Sequence, residues 1–209
     1  MPHFSFPHLL EFAIMAVVLL FSVIIHEMAH GYVALRNGDP TAKMLGRLTL
    51  NPIPHIDPIG TILLPLLLLL SGSGIIFGWA KPVPVNPLNY RHYWWGEATV
   101  SAAGPLSNLA LAVLFSFVLH LSPLNLGLMK LAYFGVTINI LLALFNLIPI
   151  PPLDGSHILA LLLPRDLARL YAYLEPVGFI LLLILFYTGL IGALIMPFYR
   201  LIASFLLGQ

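Results

Sequence analysis

His26 and His30 stand four residues apart with Glu27 between them, in a stretch from Val17 to Arg36, and the preceding run from Phe12 to Ile25 holds no charged residue. On a helix the side chains at i and i+4 sit one above the other on the same face, so both imidazoles can offer a nitrogen to one zinc ion. Glu27 lies about 100 degrees around the helix from His26, within reach of a water on that metal without being a ligand. The types and their order suit metal-assisted hydrolysis. Neutral imidazoles hold one Zn2+ per chain, the metal lowers the pKa of a water, and the carboxylate takes the proton and later returns it to the leaving amine. Ala29 and Gly31 are expected to keep the metal-facing side uncrowded. A centrally placed charge in an apolar helix costs about 2.5–3.5 kcal/mol to insert, so three ionisable groups within five residues read as functional rather than as polar groups satisfied between helices.

The elements that must position these groups are membrane elements. The chain of 209 residues is 60% hydrophobic and 8% charged, with a mean hydropathy of +0.99, which is incompatible with an ordinary soluble surface. We expect an all-α polytopic protein of the lipid bilayer. A net charge of +1, without a Lys/Arg run, gives no reason to expect nucleic acid. Zero cysteines exclude disulfides and thiolate zinc sites, so a metal must be held by His, Asp or Glu. The N-terminal MPHFSFPHLLEF lacks the basic region and cleavage site of a removable signal peptide, so the first span is expected to stay in the mature protein. No internal repeat or soluble appendage is evident, and residues 1–209 are read as one membrane-embedded domain.

About five spans are expected. The first runs from about Leu9 to Leu35 and stops at Arg36-Asn37-Gly38-Asp39-Pro40. Thr41 to Asn51 is short and partly alternating, which predicts a strand at the membrane surface. The apolar run from Ile59 is interrupted by Pro65 and closed by Ser71-Gly72-Ser73-Gly74; it is shorter than the roughly 20 residues of a full span. Gly78 to Asn86 is too rich in proline for a helix and predicts an extended segment. Spans follow at about Ala98–Leu121 and Leu131–Ile148, then a proline break through Pro149, Pro151 and Pro152 to a helix over Ser156–Leu163. Closing helices occupy about 172–207. The aromatic residues Trp79, Tyr90, Tyr93, Trp94 and Trp95 read as an interfacial belt.

Lysine and arginine arbitrate the topology, because cytoplasmic loops collect them. If 59–77 dips into the bilayer and returns, Arg36, Lys43, Arg47, Lys81, Arg91, Arg165, Arg169 and Arg200 share one side against Lys130 alone. A straight crossing would split them almost evenly. The re-entrant layout is preferred, with the N-terminus outside and the active-site ends of the helices toward the cytoplasm.

A catalytic zinc takes three protein ligands and keeps one position open. Asp154 is the strongest third candidate, since it interrupts an apolar helix, follows the proline break and falls on the same side as His30. Its other reading is an N-cap for the helix near Ser156. Asn146 and Asn108 are amides in apolar helices; they read either as groups that hydrogen-bond a substrate backbone or oxyanion, or as interhelical bonds. His55 and Asp57 suit an irregular interfacial loop better than a ligand role. His157 is placed close to the metal, behind the ligands.

HEMAHG, AAGPLSN and FNLIPIPPLDG, in this order and on apolar helices, resemble the site-2 protease family of intramembrane zinc metalloproteases. The likeness covers about residues 10–163, which would form the catalytic core. It implies that His26, His30 and Asp154 bind zinc, that Glu27 is the general base, and that the substrate is a membrane-spanning protein cleaved in regulated intramembrane proteolysis. It further implies a small membrane-associated β-sheet beside the site, to which an unwound substrate adds a strand; Thr41–Leu50 and Gly78–Val85 are the nominated segments. The chain is similar to the minimal form of the family, without a PDZ or CBS domain, and is expected in the cell membrane. Two rival readings predict different patterns. A membrane metal-ion transporter would spread His and acidic groups along a path across the bilayer, whereas here they concentrate at one depth. An inactive homologue that binds membrane partners is disfavoured because all four key residues are present.

Overall fold

A computed structural model describes residues 6–64, 66–67, 78–121 and 125–208. An apolar segment with no charged side chain satisfies its amides within the hydrocarbon only by coiling on itself, and the long apolar runs accordingly are helices. They are α1 (Phe6–Asn37), α2 (Tyr93–Leu121), α3 (Leu126–Asn146), α4 (Asp154–Leu162), α5 (Arg165–Ala172), α6 (Glu175–Tyr187) and α7 (Leu190–Leu207). Among the described residues four stretches are long and apolar enough to cross a membrane: Ala13–Asn37 of α1, then α2, α3 and α7. The pair α5 and α6, bent by 70°, supplies a fifth if it counts as one crossing. Alone, the 13 residues of α6 extend about 20 Å, short of a hydrocarbon layer of about 30 Å.

The arrangement around α2 positions the candidate site. α2 packs along α1 on one side and α3 on another, α4 lies against α2, and α7 closes on α3. Small residues permit these approaches: Ala112 of α2 and Ala203 of α7 are buried with Val136 and Ile140 of α3. A second cluster joins Ile148 and Leu153, on either side of the proline break, to Leu182 of α6 and Ile191 and Ile195 of α7. The break is thus fixed by packing, although its prolines deny it a helix. The outer faces present Val17, Leu114, Phe117, Phe198 and Phe205, as a protein solvated by lipid requires.

The expected small sheet is not found. Among the described residues there is no strand, and Thr41–Met44, placed in a strand by its partial alternation, forms one helical turn after Pro40. Met44, Leu45 and Leu50 are exposed while Ala42 and Arg47 are buried, so the alternation marks no single buried face. Residues 78–86 are extended but join no ladder, for a reason visible in their hydrogen bonds. The inward amides are already used: Trp79 N–H donates to Gly60 O, Lys81 N–H to His55 O, and Val83 N–H to the Glu27 carboxylate. On the opposite edge Pro82 and Pro84 carry no N–H, which removes the donors a strand partner needs. The question whether 59–77 spans or re-enters turns largely on residues 65 and 68–77, which lie outside the described residues; Pro58–Leu63 is a short π-type helix capped by Asp57.

The exit of α1 is tied to this extended segment by Asp39, which is fully buried. Its carboxylate accepts from Thr41 N and Oγ1, from Asn89 Nδ2 and from Asn86 N. Burial pushes its carboxyl upward, but these bonds outweigh burial and hold it below the ordinary value of 3.8. A depressed folded value means that the stabilisation is complete above the unfolded value and is lost as pH falls through the folded one. Asp39→Ala should therefore lower stability at pH 7 by about 2 kcal/mol. In thermal melts of detergent-solubilised protein, the wild type should lose more stability than Asp39→Asn as pH falls below about 4.

Candidate metal centre

α1 carries His26 and His30 on one stripe, and both are buried. Their Nε2 atoms are 3.0 Å apart, with ring planes at 76°. Asp154, the first residue of α4, brings Oδ2 to 3.2 Å from His26 Nε2 and 3.3 Å from His30 Nε2. The three form the one group of three or more His, Asp or Glu ligands among the described residues. The capping alternative for Asp154 is not adopted: the cap position of α4 falls on Leu153, and no side chain bonds the helix terminus.

The far side of each ring sets what the near side can do. His30 Nδ1 lies 2.7 Å from the carbonyl oxygen of Val100, which accepts only, so Nδ1 carries the hydrogen and Nε2 a lone pair. His26 Nδ1 lies 2.6 Å from Asn108 Oδ1, and the same logic leaves its Nε2 bare. Asp154 Oδ2 is buried with no hydrogen-bond partner. With both rings neutral, the close approach of the two Nε2 atoms is a meeting of lone pairs, to which the Asp154 oxygen adds a third acceptor. A tetrahedral zinc with bonds of about 2.0–2.2 Å sets its ligand atoms about 3.3 Å apart, so the donor set and its spacing fit this metal. The chain has no cysteine, and among the described residues no second carboxylate joins the group.

Gly104 of α2 faces the cluster. A Cβ there would collide with His30 Nε2 and with the His26 ring. Gly31, expected to clear the metal-facing side, instead faces Leu48, Val83 and Ala42. It follows His30 by one residue, about 100 degrees around the helix, so it belongs to a different face. Pro105 has no amide for the carbonyl of Ser101, so the ladder of α2 is interrupted at the turn that bears Val100 and Gly104. The signals for Gly104 and for a broken ladder at Pro105 were present in AAGPLSN, but neither the approach of Gly104 nor the role of the Val100 carbonyl can be seen before α2 is laid against α1.

Glu27 is half-buried one residue from His26, and its Oε2 accepts from Val83 N–H at 2.7 Å. Asn108 is fully buried with its amide engaged inside the bundle. Asn146, at the end of α3, donates from Nδ2 to Leu142 O. His55 is buried in the loop before the π-type helix, bonded to Thr49 O, and neither it nor Asp57 joins the cluster. His157 pairs with the buried Glu97 of α2 at 2.9 Å, a carboxylate that the sequence reading did not single out.

The comparisons with known proteins agree with this chemistry. Residues 122–185, which contain Asp154, match the family model described as Peptidase family M50. The chain is 41% identical over 192 residues to "Putative zinc metalloprotease YwhC" of Bacillus subtilis (strain 168), covering 88% of this chain and 84% of the relative. It is 32% identical over 175 residues to "Putative zinc metalloprotease Rip2" of Mycolicibacterium smegmatis, covering 81% of this chain and 64% of that protein. With "Zinc metalloprotease MJ0392" of Methanocaldococcus jannaschii the identity is 26% over 186 residues, 86% of this chain but 44% of the relative. The chain thus spans most of YwhC and less than two thirds of the other two. No solved structure gives a significant match.

The fit of Gly104 generates a prediction. Gly104→Ala should weaken zinc binding at least about tenfold, because the new methyl group displaces both imidazoles, on top of an overpacking cost of about 1–3 kcal/mol. Elemental analysis after dialysis, beside a thermal melt, measures both.

Proposed function

The chain belongs to peptidase family M50, the site-2 proteases, and is a zinc metalloprotease; on that premise we propose that it is an intramembrane endopeptidase that cleaves membrane-spanning protein substrates in regulated intramembrane proteolysis. The observation that carries the reading is the convergence of two imidazole lone pairs and an unbonded carboxylate oxygen within 3.3 Å on helices of a membrane bundle.

His26 and His30 would hold the metal through Nε2, and Asp154 through Oδ2. When bound, zinc supplies Lewis acidity, which makes a water nucleophilic near neutral pH and polarises a peptide carbonyl. Glu27 takes the proton of the attacking water and returns it to the amine nitrogen as the peptide bond breaks. The Val83 N–H holds Glu27 Oε2, fixing the carboxylate's rotamer and leaving Oε1 for the proton. Asn146, at the end of α3 with Nδ2 bonded to Leu142 O, is assigned to the substrate backbone. Asn108, by contrast, has its amide engaged within the bundle, and this supports a role behind the metal ligands.

Substrates that span the membrane follow from the position of the centre on spans rather than on an external domain. Residues 1–209 act as one membrane-embedded unit in this reading. The packing of the proline break against α6 and α7 supports it, because the closing helices then brace the turn that carries Asp154. The excess of Lys and Arg on the side of Arg36 and Lys81 supports a cell-membrane orientation with the N-terminus outside and the catalytic end toward the cytoplasm. The transporter alternative gains nothing, since among the described residues no second His/Asp/Glu cluster continues a path.

Two variants test the assignment. Purified Glu27→Gln should keep a full complement of zinc and lose about 10²–10⁴ of the cleavage rate on a model transmembrane substrate; unchanged cleavage would remove the mechanism. Asp154→Ala should lose both zinc, by elemental analysis, and cleavage.

A further inference from the structure

Beyond the ligands, one polar group on each of three spans lies in the same dry layer: Ser22 of α1, Asn108 of α2 and Asn139 of α3, with exposures of 2%, 0% and 0%. Asn108 Nδ2 donates to Asn139 Oδ1 at 2.9 Å and to the backbone carbonyl of Ser22 at 3.3 Å. Asn139 Nδ2 donates to the backbone carbonyl of Gly135 and to Ser22 Oγ, each at 2.9 Å. Asn108 Oδ1 then accepts from His26 Nδ1.

An amide can be turned end for end, so the direction of such a chain has to be argued from its fixed points. Here the fixed points are backbone carbonyls, which cannot donate. The atom of Asn139 beside Gly135 O must be the nitrogen, so its oxygen faces Asn108. The Asn108 atom there must be a donor, and the Ser22 carbonyl independently requires the same. Asn108 therefore presents its oxygen to His26, whose Nδ1 must carry the hydrogen. With that, the lone pair of His26 is placed on Nε2, the atom that faces Asp154.

We propose that Asn108, locked in orientation by Asn139 and Ser22, is a positioning residue for the metal: it sets the tautomer and the ring angle of His26. This rests on the reading of His26 as a zinc ligand. The two histidines are thereby held by different means. His30 leans directly on the Val100 carbonyl, which cannot rotate, whereas His26 leans on a side-chain amide that could flip and is prevented from flipping by a third helix. A bare interhelical tie would require only that Asn108 bond α1 and α3, with no demand on what it presents to His26. The positioning role demands one end only.

The full chain, purified in detergent, is compared as wild type, Asn108→Leu, Asn108→Asp, Asn139→Leu, His26→Ala and Ser116→Ala. Ser116 is the control, since it bonds Leu206 O across α2 and α7 with no route to His26. Three readouts are taken: the zinc dissociation constant by chelator competition, the visible absorption of the cobalt-substituted protein, and the melting temperature. We expect Asn108→Leu and Asn139→Leu to weaken zinc about 10- to 100-fold and to alter the cobalt spectrum. Asn108→Asp, which keeps an acceptor for Nδ1–H, should recover most of the affinity, while Ser116→Ala lowers the melting temperature alone. Unchanged zinc affinity and cobalt spectrum in both leucine variants would overturn the proposal. If Asn139→Leu does not fold, the Asn108 pair decides: recovery by aspartate supports the role and equal loss overturns it. His26→Ala separates the two levels, because unaltered zinc binding there sinks the ligand reading itself rather than the positioning role.

Discussion

Three electron-rich atoms face one another at 3.0 to 3.3 Å inside an apolar bundle. Without a cation that arrangement is repulsive, and with one it becomes the strongest local interaction available, because the surroundings offer little screening. Every element near it serves to hold it in place. α1 supplies two rings from one stripe, α2 supplies the acceptors that turn both Nδ1 atoms outward and a glycine that lets its backbone approach, and α4 begins at the residue that completes the set.

Hydrocarbon makes hydrogen-bond accounting strict, and this strictness organises the parts of the chain that are not helical. The extended segment from Gly78 to Asn86 spends its inward amides on two backbone carbonyls and on Glu27, and Asp39 receives the amide of Asn86 at its end. Its prolines sit in the register where a donor would have no partner among the described residues. The same segment therefore both covers Glu27 beside His26 and has few donors left for any strand laid against it. The proline break before Asp154 is held from outside by hydrophobic contacts with α6 and α7 rather than by backbone ladders.

The helices that could be read in advance were those whose length and apolarity fix them: the ends of α1, α2 and α3 lie within about five residues of the expected bounds, and α7 falls within the expected closing helices. Asp154 could be nominated because a carboxylate after a proline break in an apolar run has few other uses. What was misread depended on direction. The alternation of Thr41–Leu50 suggested a strand, but Pro40 and the Asp39 carboxylate start a helical turn there. Gly31 seemed to clear the metal because it adjoins His30, although one residue along a helix is a different face. Asn139 drew no notice, because one amide in an apolar helix has no visible partner until two other helices are placed beside it.

The sequence by itself determined that the protein lies in a membrane, where its long helices run, and which side chains have the chemistry to hold zinc and move a proton, since hydropathy and side-chain type are local properties. Only the tertiary structure decided which nitrogen of each imidazole is bare, that Gly104 rather than Gly31 gives the cluster its room, and that among the described residues no sheet flanks Glu27. Those facts depend on which carbonyl, amide or Cβ from a distant span comes within about 3 Å, and helical or strand periodicity carries no information on that.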